Sequence, residues 1–423
     1  LMGVVVPLVE DHLAPSGARA LLGARPRGAR ALLSVAAGTL ATTLTIALSM
    51  TMVTVQLAAS QYSSRVVGRF LSNRTTQYTV GAFLATIAFL FLVLRSVRSP
   101  DEGGDFVPAV ATTFGLAFTL GCLALLVLFV HATMRSVQAA TIIAGIGVET
   151  IRILEGARRG AEVRTSRPAV RPSMVVSAPH AGYVRLVQPE VLLRAGGPGL
   201  RVVVLEVVPG EFRTAGEPLA TVELAAPAAD PAALEAQMRD AFVLGRERTM
   251  EGDPLYGIRQ LVDIALRALS PAVNDPTTAI MVIHELAAVL RAAFRQELWI
   301  NGWSLERHDR CVVVRRQHGF SVYLTEAFGE LTRLGREQPR VATALIEALA
   351  RVLDAAPPQP EDRAARDLCA ERAALLHALA SAYPLDPAER EALEHALQRL
   401  RSQRERESLR RDVIGAVSAS SSM

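Results

Sequence analysis

Three stretches of the chain contain no charged side chain, and each is long enough to cross a lipid bilayer as a helix. They cover 31–64, 75–94 and 106–134 of the 423 residues. A helix needs about 20 apolar residues to span the hydrocarbon core, because each residue rises about 1.5 Å. One such run could be a buried helix of a soluble protein, but three in succession indicate a membrane domain.

The predicted membrane domain occupies residues 1–163. We expect spans at about 36–58, 76–95 and 107–131, with the last helix continuing to about 158. The opening LMGVVVPLV (1–9) is too short to cross a bilayer alone, and we interpret it as a partial span, the end of a longer hydrophobic helix. RTSRPAVRPS (164–173) reads as a linker, because its prolines oppose helix continuation.

The arginines predict how the spans are oriented. All 45 basic residues are arginine; residues 1–174 carry 16 of them against 8 acidic residues, a net +8, and the remainder has a net −4. The 59–77 loop and the segment after the third span are both rich in arginine. This predicts that they lie on the cytoplasmic side of a bacterial inner membrane. Arg19, Arg25, Arg27 and Arg30 oppose this topology. The arginines lie between apolar runs and not in a polar cluster, which argues against a nucleic-acid partner.

Polar side chains form a stripe along the first span. Its members recur at steps of three or four residues and so share one helix face: Thr42, Thr45, Ser49, Met52, Gln56 and Ser60. Gly115, Thr119 and Cys122 form a similar line on the third span. Such lines pack helices together in lipid, or they line a pore. No charged residue marks an ion route within a span, which favours packing.

The C-terminal half is predicted to be an α+β region that begins with a small β-barrel module at 174–226. Short β-branched runs there are separated by Gly and Pro. Gly210, Gly216 and Leu219 are placed as in lipoyl-like and biotinyl-like barrels, and APHAGYV (178–184) resembles their opening strand. Those carriers attach the cofactor to a lysine, and the chain has none. We therefore expect a structural barrel without a cofactor.

The rest of the C-terminal half is predicted to be a helical domain at 230–412. Asp230 and Asp275 precede prolines that can open helices. A β patch formed by CVVVRR and FSVYLT is expected at 311–325, and a disordered tail at 413–423.

Enzyme signatures are missing from the sequence, so we predict no catalytic residues. It contains no HExxH, P-loop, dinucleotide or GxSxG motif. Three dispersed cysteines are too few for a zinc site, and no metal site is predicted.

Charged residues are densest in 241–279, around two helix ends. One interpretation is a network of caps and ion pairs; the other is a pocket for a small anion. The candidate pocket residues are Arg246, Arg248, Arg259, Asn274 and Asp275.

Three motifs together resemble one bacterial family. MVTVQLAASQYSSRVVGRFLSNRTTQ (52–77), FVHATMRSVQAATIIA (129–144) and AFVLGRERT…GIRQLVDIALRALSPAVNDPTTA (241–279) look like the membrane proteins grouped as domain of unknown function 2254. The resemblance implies N-terminal spans, usually one more than the three full ones here, followed by a cytosolic domain. Ala272 stands where glycine is commoner, which implies a different turn. No activity follows from the resemblance.

Two functions remain open from the sequence. The first is a homo-oligomeric channel or transport component whose stripe faces a pore and whose cytosolic half gates it. The second is a membrane-anchored scaffold or sensor that binds a cytosolic protein or a small anionic ligand near Arg246 and Arg248. An enzyme is the least favoured alternative.

Overall fold

The computed structural model describes residues 26–61, 74–98, 106–136, 138–156, 162–164, 166–295, 302–308, 311–335 and 338–354, with 387, 388, 390–392, 394–399 and 402. The partial span at 1–9 and the tail at 413–423 lie outside these residues. The chain divides into an N-terminal unit that ends at Thr141 and a C-terminal unit that begins at Ile142. The boundary therefore falls before the one expected near residue 163.

Three long helices build the N-terminal unit: α1 (Pro26–Gln61), α2 (Arg74–Ser96) and α3 (Ala109–Ser136). They pack around side chains that are fully or almost fully buried, among them Leu33, Leu40, Phe83 and Leu90. Elsewhere their apolar side chains are exposed: only 22%, 33% and 17% of the most apolar windows of the three helices are buried. Apolar helices with this much uncovered surface are suited to lipid, in agreement with the predicted membrane spans.

A fourth helix, α4 (Ala139–Gly156), follows α3 after a break. We expected one continuous helix to about residue 158, and this was wrong. Gln138 N–H bonds Arg135 O at the break, whereas Gly145 and Gly147 lie inside α4. From Ile142 on, α4 belongs to the C-terminal unit and buries Ile143, Ile146 and Leu154.

The C-terminal unit contains two open sheets and a layer of helices. Its elements are β1 (Glu162–Arg164), β2 (Met174–Ser177), β3 (Gly182–Val187), α5 (Pro189–Gly196), β4 (Leu200–Leu205), β5 (Phe212–Arg213), β6 (Pro218–Leu224), α6 (Pro231–Arg239), β7 (Phe242–Gly245), α7 (Pro254–Ala268), α8 (Pro276–Arg295), β8 (Gly302–His308), β9 (Cys311–Gln317), α9 (Phe320–Gly335) and α10 (Pro339–Leu353). One sheet has the order β1-β8-β9-β4-β6-β2, and the other has the order β5-β3-β7.

The lipoyl-like barrel at 174–226 is not supported, since the described strands form no closed barrel. β4 pairs with β6 on one side and, in parallel, with β9 on the other, where Val202 lies opposite Val312. The outer edge of β4 is thus paired with β9, which lies outside the predicted module. In a closed barrel this edge would pair with a strand of the module itself. β3 belongs to the separate three-stranded sheet.

The β patch expected at 311–325 was half wrong. CVVVRR lies in β9, but FSVYLT forms the beginning of α9. Phe320, Tyr323, Leu324, Ala327 and Phe328 are all buried in α9. Their spacing of i, i+3, i+4, i+7 and i+8 is typical of one helix face, so the correct signal was present in the sequence.

Helix α8 is a fourth segment that is apolar and long enough to span a membrane, over Pro276–Ala293. It differs from the first three because half of its most apolar window is buried. It packs against α7 and α10, and Val282, Leu286 and Leu290 are fully buried. It also carries Glu285 and Arg291. We therefore describe α8 as a core helix of the C-terminal unit.

Candidate functional site

The polar stripe of α1 faces away from the rest of the N-terminal unit. The packed face of α1 contains Leu33, Leu40 and Leu44. Ser49 follows Leu40 by nine residues, which at about 100° per residue places it half a turn away. Its stripe companions Thr42, Thr45, Met52 and Gln56 are exposed, as Ser49 is. The side chain of Ser60 lies outside the described residues.

Two classes of polar group make up this stripe. The hydroxyls of Thr42 and Thr45 donate to the carbonyl oxygens of Gly38 and Ala41, each at 3.0 Å, so their protons are satisfied within the helix. Ser49 and Gln56, by contrast, make no side-chain hydrogen bond in the part of the chain that the structure describes. A primary amide and a hydroxyl are therefore presented outward.

The line of Gly115, Thr119 and Cys122 on the third span faces inward, unlike the α1 stripe, and it packs helices together. The Thr86 hydroxyl of α2 and the Cys122 thiol of α3 lie 3.3 Å apart, and both are buried. A Cβ atom on Gly115 would be 2.9 Å from a methyl group of Leu90, so glycine lets α3 approach α2 closely. Small side chains that permit close approach are typical of helix interfaces in lipid.

Arg248 lies in a helix-capping cluster. Its guanidinium binds both carboxylate oxygens of Asp253, at 2.6 and 3.1 Å, and lies over the ring of Tyr256 at 5.2 Å. The same Asp253 carboxylate accepts the Tyr256 N–H at 3.1 Å and so caps α7. Asp253 is only 2% exposed. This arginine is therefore occupied by a buried structural partner.

Arg259 is held by acidic side chains on two helices. It bonds Asp263, one turn further along α7, at 2.8 Å and Glu330 of α9 at 2.5 Å. Arg246 is exposed and lies in neither cluster. The three arginines of the predicted pocket thus have different surroundings.

Asn274 and Asp275 form the turn between α7 and α8. Asn274 has a φ of 46°, the one positive φ at a described non-glycine residue, so the left-handed position of this turn is not at Ala272. Asp275 accepts hydrogen bonds from the N–H and hydroxyl of Thr278, at 3.1 and 2.6 Å. The Thr278 hydrogen bonds lower the pKa of this carboxyl. Arg248, Arg259 and Asp275 therefore belong to separate caps and ion pairs, Asn274 lies in the turn, and Arg246 belongs to neither cluster.

A groove that the sequence did not indicate lies between α8 and α10. Its volume is about 520 Å³, and eight residues line it: Ile280, His284, Arg340, Thr343, Ala344, Glu347, Ala388 and Ala392. The helical rows are recognisable afterwards, since Ile280 and His284 are four residues apart, as are Thr343 and Glu347. Nothing local in the sequence brings these rows together.

Metal binding has no obvious location in the described part of the chain. No three His, Cys, Asp or Glu side chains lie close enough there to hold an ion. Burial raises the pKa of the Cys311 thiol to about 11, which keeps this buried cysteine protonated and unreactive at neutral pH.

Comparison with known proteins places most of the chain in one family. The family described as "Predicted membrane protein (DUF2254)" matches residues 1–351. Uncharacterized protein Rv1290c of Mycobacterium tuberculosis and uncharacterized protein Mb1321c of Mycobacterium bovis are each 32% identical to the chain over 313 residues. The match covers 72% of this chain and 60% of each relative's length, so the chain spans less than two thirds of the curated relatives it matches. No solved structure is significantly similar to it.

Proposed function

The chain belongs to the DUF2254 family of predicted membrane proteins, and we propose that it forms a homo-oligomeric channel or transport component of a bacterial inner membrane. In this proposal the stripe on α1 lines a path between copies, and the C-terminal unit lies in the cytoplasm and controls that path. The observation that carries the proposal is the outward orientation of Ser49 and Gln56, opposite the packed face of α1.

The cost of exposing polar groups to lipid supports an assembly. An unpaired amide in hydrocarbon costs several kcal/mol on transfer scales without hydrogen bonding, on the order of 4 kcal/mol or more. Contact with water, or with the same face of another copy, removes that cost. The Gln56 amide offers both donors and acceptors for either environment.

The packing of the N-terminal unit supports a path between chains and not within one. Leu33, Leu40, Phe83 and Leu90 fill the centre of the three helices with almost no exposed surface. A water-filled route through that centre would require these side chains to separate. A ring of copies with α1 on the inside needs no such change.

Flux measurements test the transport proposal. The full chain would be reconstituted into liposomes, and the leakage of entrapped monovalent ions and small organic anions would be followed. We expect a protein-dependent flux that Gln56→Leu reduces several-fold, while Met50→Leu, an exposed apolar position on another face of α1, leaves it unchanged. If the monovalent cations, the monovalent anions and the small organic anions all stay entrapped with wild-type protein under voltage and tension, the proposal is wrong.

A membrane-anchored scaffold or sensor is the second candidate. The specific support is Arg246, an exposed arginine close in sequence to the Arg248–Asp253 cap and a suitable contact for an acidic partner. Under this alternative the α1 stripe has no role in transport, and Gln56→Leu leaves function intact. Retention of an acidic cytosolic protein by wild type but not by Arg246→Glu would favour it.

A further inference from the structure

The groove between α8 and α10 is built from three helical rows with small side chains. Ile280 and His284 lie on α8, and Thr343, Ala344 and Glu347 lie on α10. The third wall contains Ala388 and Ala392, again four residues apart. Alanine at three of the eight lining positions leaves about 520 Å³ open, a volume within the usual range for small-molecule sites.

One end of the groove is electropositive. Arg340 is exposed there and makes no hydrogen bond or ion pair in the part of the chain that the structure describes. It is the second residue of α10, whose first turn contains no acidic side chain, and Gln338 provides no side-chain cap. A cation at this end of a helix is unfavourable, because the helix dipole places partial positive charge there. An anion bound beside Arg340 would remove this repulsion.

The other end of the groove is electrically balanced. The carboxylate of Glu347 is bonded to Arg351 at 2.9 Å. Glu347 lies seven residues beyond Arg340, or about 10 Å along the helix axis at 1.5 Å per residue, so it does not oppose an anion at the Arg340 end. Burial and Arg351 lower the pKa of His284, so the imidazole is neutral at neutral pH.

The middle of the groove is apolar. Ile280, Ala344, Ala388 and Ala392 present only hydrocarbon. The Thr343 hydroxyl donates its proton to Pro339 O at 3.0 Å, so it is left as an acceptor. The groove therefore combines the Arg340 cation at one end with apolar side chains in its middle, a pattern complementary to an amphipathic anion.

We propose that this groove binds a small amphipathic anion, a carboxylate with an apolar chain of medium length, with its head at Arg340 and its chain between Ile280 and the alanines. The guanidinium forms the charge-assisted hydrogen bonds to the carboxylate. The apolar chain is covered by side chains of α8, of α10 and by Ala388 and Ala392. This site is independent of the α1 stripe and of the transport proposal.

Equilibrium dialysis of radiolabelled octanoate against the full chain in nanodiscs tests the site, with empty nanodiscs subtracting partition into lipid. We expect saturable binding that Arg340→Gln weakens at least ten-fold, which corresponds to about 1.4 kcal/mol. Arg333→Gln, an exposed arginine on α9, should leave binding unchanged. Binding of 1-octanol should be insensitive to Arg340→Gln, because the alcohol lacks the charge.

A second variant tests the apolar part of the groove. Ala392 is exposed, so Ala392→Leu should fold normally while its larger side chain fills the groove and weakens octanoate and octanol alike. Thermal midpoints matched to wild type would verify folding for both variants. Absence of saturable octanoate binding above empty nanodiscs would overturn the proposal. So would saturable binding that either Arg340→Gln or Ala392→Leu leaves unaffected.

Discussion

The carboxylate of Glu285 lies directly against the backbone of Gly147. A Cβ atom on residue 147 would be 1.9 Å from its Oε1 atom, so glycine is what allows α4 and α8 to pack at this point. One turn further along α4, the Thr150 hydroxyl is in similar contact with Gly257 of α7, where a Cβ atom would be 2.0 Å away. Two glycine contacts therefore dock α4 onto the core helices of the C-terminal unit.

Gly147→Ala should destabilise the C-terminal unit. Overpacking of a filled interface typically costs about 1–3 kcal/mol, more than the gain of up to about 1 kcal/mol from replacing glycine in a helix. Both tryptophans, Trp299 and Trp303, follow α8 in the sequence, so their fluorescence during urea unfolding reports on this unit.

Gly145→Ala is the matched control for that change. Gly145 is on the same helix, and nothing lies within 4 Å of the Cβ position. It should be neutral or stabilising. The double variant Gly147→Ala/Glu285→Ala should be more stable than the sum of the two single changes in the free energy of unfolding predicts, because the clash is absent. Equal effects of the two glycine changes would contradict the contact.

Glu285 should make the stability of the unit depend on pH. Burial raises the pKa of this carboxyl above its usual 4.5, and it has no hydrogen-bond or salt-bridge partner among the described residues. The folded state therefore favours the protonated form. The folded state is stabilised relative to its stability at neutral pH when Glu285 is protonated. This contribution to the free energy of unfolding is fully present below the unfolded-state pKa and is lost as the pH rises through the folded-state pKa.

Glu285→Gln should consequently unfold at a higher temperature than wild type at pH 7, with the difference shrinking as the pH falls towards 4.5. Thermal unfolding followed by tryptophan fluorescence across this range measures it. Glu326→Gln, a carboxylate 3.7 Å from Arg259, should show no such gain. A constant difference at all pH values would rule out titration of Glu285 as the cause.

Asp253→Ala should be far more damaging than Asp230→Ala. Both aspartates cap helices, but Asp253 is also paired with Arg248 in a buried cluster, whereas Asp230 is exposed and accepts only from the backbone of α6. Removing one partner of a buried pair costs about 3–5 kcal/mol, and losing an exposed cap costs about 1 kcal/mol. Urea midpoints of the two variants compare these costs, and similar values would mean that Asp253 acts only as a cap.

Cysteine cross-linking should detect copies that meet along the α1 stripe. In a background without Cys122, Cys311 and Cys369, we expect Ser49→Cys to form disulfide-linked dimers in membranes. Met50→Cys should not, because the adjacent residue points about 100° away round the helix. Cross-links of equal yield at both positions would indicate random collision and not a defined interface.

Local signals predicted the elements that depend on neighbouring residues alone. Three uncharged runs became α1, α2 and α3, and the Asp-Pro pairs at 230–231 and 275–276 start α6 and α8. A cap or an apolar run acts within one or two turns, so the sequence nearby contains the cause. The candidate pocket was less predictable: its residues occupy one sequence segment, but Arg259 turns towards α9 while Arg248 turns towards Asp253.

The sequence by itself determined that an N-terminal region with three uncharged, apolar runs precedes an α+β region, because the length and charge of a run decide whether it can enter lipid. Only the tertiary structure decided that β9 joins β4 across more than a hundred residues, which opens the predicted barrel into a sheet. It also decided that α8 packs against α7 and α10 with half of its apolar window buried, and that the α1 stripe points outward while Cys122 points to Thr86. Each of these depends on which distant part of the chain packs against a helix face or strand edge. The residues of a single segment do not specify that packing partner.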